Sequence, residues 1–133
     1  MFNLTIPGVL FFSAAVLCVL GVAAHELLGA PMVLGPLEAS GLEDEVVWLH
    51  RFSWHVGTVA VIAMAGMFLL AIWHPAGTSF AVVASLMSAG FAACAVSLAV
   101  FGDPVMWSTP APYPWTVVAI LGFAGALVSR SPG

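Results

Sequence analysis

Four long apolar runs, separated by short stretches of proline, glycine and acid, constrain this chain more than any other feature. A transmembrane helix needs about 20 mostly apolar residues to cross a hydrocarbon core of about 30 Å. The 133 residues therefore hold at most five such spans, within a single domain, 1–133. Only 6% of the residues are charged and 62% are hydrophobic, whereas a soluble domain carries about 25% charged residues. Too little polar material is present to coat a water-facing surface. That excludes a soluble globular enzyme and a disordered segment. With two basic residues against six acidic ones, the basic footprint of a nucleic-acid binder is missing as well. The reading is all-α: an integral membrane four-helix bundle, up-down-up-down, whose first partner is the lipid bilayer.

The runs have readable ends. A first helix over about 6–28 carries Pro7 in its opening turn, with Gly29 and Pro31 as stop signals. Ser40-Gly41-Leu42-Glu43 fits a capping box, so a second helix is expected over about 41–74. It stops where Pro75 disfavours helix at the residue before it. A third covers about 79–101 and a fourth about 114–129, joined by a connection rich in proline and aromatics. Met1 to Pro7 lacks the Lys or Arg of a signal-peptide n-region, so no cleavage is expected. Cys18 and Cys94 both fall inside apolar runs and read as small core fillers.

Four spans put both termini on one side and the connections after the first and third helices on the other. Every acid belongs to that second side: Glu26, Glu38, Glu43, Asp44, Glu45 and Asp103. Arg51 and Arg130 divide one to each side, so the positive-inside rule is nearly silent. The expected placement is the bacterial inner membrane, multi-pass, with both termini cytoplasmic and the acidic connections periplasmic.

Helical spacing gives the sharpest information about the interior. Ala14, Cys18, Gly21 and His25 share one face of the first helix. Ala81, Ser85, Ser88, Ala92, Ala95 and Ala99 form a small-residue stripe on the third, and Ala119, Gly122, Ala126 and Ser129 form one on the fourth. Helices in lipid associate by close packing, which small residues permit, so these stripes are expected to face inward. On the acidic side they lead to polar residues. The first ends at His25, the third reaches Asp103, and the second helix contributes Arg51, His55 and Thr58 at i, i+4, i+7. Ionisable groups at membrane depth are costly and are candidates for function. His50 lies about 140° from His55 around a regular helix, so the two do not chelate one ion. His74 reads as a boundary residue.

Three functions fit this pattern. His25 and His55 at matched depth suit the axial ligands of a b-type haem, with Gly21 leaving room for the macrocycle and Arg51 pairing with propionates. A transition metal held by His25, His55 and Asp103 or Glu26 is the variant. The second reading is a non-catalytic accessory or assembly subunit of a larger membrane complex. There Arg51 pairs with Asp103 or Glu26, and the histidines complete a packing network. The third is a quinone or lipid bound in an aromatic-rimmed outer pocket of Trp48, Phe52, His55, Thr58 and Trp107. No nucleophile with an orienting base is identifiable, so catalysis stays open. Gly66, Gly90 and Gly125 suit either neighbouring helices or a homo-oligomer.

His25-Glu26-Leu27-Leu28-Gly29, Arg51-Phe52-Ser53-Trp54-His55, and Gly102-Asp103 leading to Pro114-Trp115 form a recognisable pattern. In these the chain resembles small bacterial four-helix integral membrane proteins of uncharacterised function. The resemblance implies the four-helix fold and draws attention to His25 and His55. It carries no catalytic role.

Overall fold

The computed structural model describes residues 5–74 and 76–130. They are predominantly helical, with no strand among them. α1 (Ile6–Ala24) is capped by the Thr5 hydroxyl, which accepts the Gly8 N–H at 3.3 Å. It does not end near residue 28. It passes through one π-helical turn, His25–Gly29, and continues as α2 (Ala30–Glu38). Together they form a rod of 33 residues, about 50 Å at 1.5 Å per residue. The expected stop at Gly29 and Pro31 fails for a geometric reason. In an α-helix the Pro31 ring would meet the carbonyl four residues back. The widened turn just before it, closed by the Ala30 N–H donating to the His25 carbonyl, gives the ring room without ending the helix.

The connection from this rod to the next helix is correspondingly short. Ser40 does not cap α3: its hydroxyl donates to the Leu37 carbonyl at 2.6 Å and accepts the Leu42 N–H at 3.4 Å. Gly41 takes φ +73°, a left-handed conformation open to glycine at little cost. α3 therefore starts later than the capping-box reading puts it, at Asp44, and runs to Trp73. Asp44 and Glu45 lie at its positive end. His74 turns extended, with ψ 141°, as the residue before a proline should. α4 (Gly77–Ser97) ends in a second π turn, Leu98–Gly102. A 3-10 turn (Pro104–Ser108) follows, then α5 (Pro114–Arg130).

The helices pack in a ring in which α1 and α4 each touch α3 and α5. The small-residue stripes turn inward. Ala14, Cys18, Ala81, Ser85 and Ser88 are fully buried, and Ala95, Ala99, Ala119 and Ala126 nearly so. Larger side chains fill the remaining volume, chiefly Phe11, Met64, Phe68 and Val118. α5 approaches most closely at two glycines. A Cβ on Gly122 would lie 2.0 Å from the Ser85 hydroxyl, and one on Gly125 would lie 2.5 Å from the Phe11 ring. Gly125 is thus an internal contact, whereas Gly66 and Gly90 meet nothing within 4 Å. Cys94 is exposed rather than a core filler, and both cysteines are free.

α5 is shorter than its neighbours, and this shapes the molecule. Its second residue, Trp115, lies against Gly21, stacks edge-on with Phe91, and accepts a hydrogen bond from the Ser88 hydroxyl at 2.7 Å. α5 thus begins level with the middle of α4 and the last turn of α1. Beyond that level the chain is built from α1–α2, α3 and the end of α4. α2 packs chiefly on α3.

Candidate functional site

The polar side chains of this end collect along the contact between the α1–α2 rod and the first half of α3. Arg51, Trp54, His55 and Thr58 lie at i, i+3, i+4 and i+7, one face of α3. The π turn meets them. Adjacent residues on an α-helix diverge by about 100°, yet His25 and Glu26 both reach α3. The widened turn permits this, and π turns are frequent at functional positions.

His25 lies flat on Trp54, with ring centroids 3.9 Å apart and planes within 10°. Its Nε2 is 3.3 Å from the Trp54 main-chain carbonyl oxygen. A carbonyl only accepts, so Nε2 carries the proton. The indole also presses on Gly29, where a Cβ would sit 3.1 Å from the ring. A side chain at position 29 would press on the indole and require it to shift by a few tenths of an ångström. The Trp54 indole N–H is buried without a hydrogen-bond partner among the described residues. Glu26 accepts hydrogen bonds from two side chains of α3 at one carboxylate oxygen: the Thr58 hydroxyl, and His55 Nδ1 at 3.3 Å. Glu26 therefore reaches the cluster directly from its helix. At the far end of the rod Arg51 forms an ion pair with Glu38, and its guanidinium lies 5.3 Å from the centre of the Trp48 ring.

The expected pairing of Arg51 with Asp103 or Glu26 is not made. Asp103 caps the 3-10 turn, accepting the Val105 N–H at 2.9 Å. Among the described residues no group of three or more His, Cys, Asp or Glu side chains is placed to hold a metal ion. His25 Nε2 and His55 Nδ1, one nitrogen of each proposed axial ligand, are engaged within the protein. Of the five residues expected to rim an outer pocket, none is buried. Trp48 and Phe52 are 66% exposed, Thr58 is bound to Glu26, and Trp107 lends its carbonyl to the Tyr113 hydroxyl at 2.7 Å.

Trp54 and Glu38 are the participants that sequence reasoning passed over. Trp54 was detectable, because it completes the i+3 position of the Arg51–His55–Thr58 stripe. Glu38 was not, since its position depends on the helix continuing through Pro31. No family model matches the chain, and neither a curated protein nor a solved structure is similar to it. Three of its helical rods, Ile6–Glu38, Asp44–Trp73 and Gly77–Gly102, are long and apolar enough to cross a membrane.

Proposed function

We propose that this chain is a multi-pass protein of the bacterial inner membrane, inserted up-down-up-down, that serves as a non-catalytic accessory or assembly subunit. Its working part is the hairpin formed by the end of α1, α2 and the start of α3. The observation that carries this reading is the pairing of polar side chains along the hairpin: His25 with Trp54, Glu26 with His55 and Thr58, Arg51 with Glu38. These groups engage one another and brace two helices, as a packing network does.

Helix length supports the same view. α5 has 17 residues, about 25 Å, which is close to the hydrocarbon thickness of about 30 Å. A bilayer centred on the four-helix section would meet His25 and Glu26 at its periplasmic edge. Glu38 is 12 residues beyond Glu26, about 18 Å along the rod. The hairpin then stands clear of lipid with Met32 75%, Trp48 66% and Phe52 66% exposed. Apolar surface outside the hydrocarbon calls for a protein cover.

The test is photo-crosslinking in native membranes. A crosslinker at Met32 or Phe52 is expected to yield one discrete protein adduct, while the same group at Val83 or Leu86, on the outer face of α4, yields none. Adducts at neither hairpin position would overturn the proposal. So would a sharp alpha band in a reduced-minus-oxidised spectrum of the purified protein, which would return the site to haem held by His25 and His55.

A further inference from the structure

At the opposite end of the bundle a cavity of about 490 Å³ opens between the start of α1, the end of α3 and the end of α5. Its walls are Ile6, Gly8, Ala71, Ile72 and Val128, with the buried Phe11 behind them. The side chains of the lining are apolar apart from two hydroxyls, Thr5 and Ser129, while a substantial share of its exposed surface is polar. Ser129 donates to the Gly125 carbonyl at 2.8 Å. Thr5 accepts the Gly8 N–H and keeps its own O–H to donate.

The charge around this cavity is distinctive. Arg130, the last residue of α5, directly follows Ser129 on its wall. Arg51, the other arginine of the chain, is taken up by Glu38. All six acids lie toward the far side, Glu26 in the π turn and the other five on connections and helix ends. Arg130 forms no ion pair among the described residues and lies one residue beyond Ser129 of the cavity wall. A basic side chain near the membrane surface attracts anionic lipid, and a slot between helices takes an acyl chain.

We propose that this cavity is a binding site for an anionic phospholipid, its acyl chain between α1, α3 and α5 and its phosphate at Arg130. Thr5 donates to an ester oxygen. The inference rests on the membrane reading above but not on the hairpin's role. Alkaline carbonate extraction tests membrane insertion separately: release of the chain would remove the membrane reading itself, whatever lipid it binds.

The lipid site is tested on the full chain purified in detergent. Native mass spectrometry or thermal shift would compare phosphatidylglycerol with phosphatidylcholine of the same acyl chains. The expected result is a preference for phosphatidylglycerol of about five-fold, the contribution of one basic residue at a membrane surface. Arg130→Gln should remove that preference and leave helicity unchanged. Ala71→Phe, which fills the slot, should weaken both lipids, and Val128→Phe serves where Ala71→Phe does not fold. Equal binding of the two lipids by the unaltered protein would overturn the proposal. So would a preference for phosphatidylglycerol that survives Arg130→Gln.

Discussion

At the residue scale, the smallest side chains decide how closely the helices approach. Gly122 and Gly125 place the α5 backbone against Ser85, Phe68 and Phe11, and overpacking such a contact costs about 1–3 kcal/mol. Gly122→Ala and Gly125→Ala should lower the midpoint of thermal unfolding in detergent. Gly66→Ala and Gly90→Ala meet open space, and each should leave the midpoint unchanged or raise it, since alanine is the better helix former by about 1 kcal/mol. If all four behave alike, the packing described for α5 is wrong. Trp54 presents a different balance. Its ring supports His25, yet its buried N–H lacks an acceptor among the described residues, and such a group costs about 1–3 kcal/mol. Trp54→Phe discards the N–H and keeps an aromatic surface, so it should be tolerated much better than Trp54→Ala. Chemical denaturation of the three proteins side by side decides this.

At the element scale, the π turn His25–Gly29 does two things at once. It admits Pro31 into a continuous rod, and it directs His25 and Glu26 toward the same helix. Deleting Leu28 should convert the turn to ordinary α-helix, bring the Pro31 ring against the carbonyl four residues before it and kink α2 away from α3. Circular dichroism should then report nearly unchanged helix content. The Arg51–Glu38 coupling should disappear from a double-mutant cycle. For a partly exposed pair that coupling is about 0–1 kcal/mol in the intact protein, so the cycle is best run at low ionic strength. A coupling that persists after the deletion would mean that α2 finds its place on α3 without the π turn.

At the scale of the whole molecule, the mismatch between α5 and the rods α1–α2 and α3 divides the protein into a four-helix section and a hairpin beyond it. This division predicts a pattern of chemical accessibility. In detergent Cys94 should react with maleimide and Cys18, fully buried, should not. In sealed vesicles carrying single introduced cysteines, a membrane-impermeant maleimide should label position 46 or 48 of the hairpin from the periplasmic side. Position 83, on the outer face of α4, should be labelled only after solubilisation. Equal labelling at both positions in intact vesicles would contradict a hairpin standing outside the hydrocarbon.

Much of this architecture was legible in the amino-acid order. Hydropathy alone points to an all-helical chain with four apolar runs, and the structure makes three of them rods long and apolar enough to span a membrane. Spacing alone determines the inward stripes from Ala14 to Cys18 and from Ala81 to Ala99, because helical period assigns each residue to a face whatever the helix packs against. The polar stripe Arg51–His55–Thr58 was legible for the same reason. Its partners were not. Gly29 and Pro31 are local stop signals, and only the packing of α2 on α3 makes it favourable to carry the helix past them through a widened turn. Once the rod continues, Glu38 comes to Arg51, Glu26 comes to His55 and Thr58, and Asp103 is left to cap its own turn. Local sequence sets faces and lengths; pairing across helices depends on the phase and depth at which they dock, and those are properties of the assembled bundle.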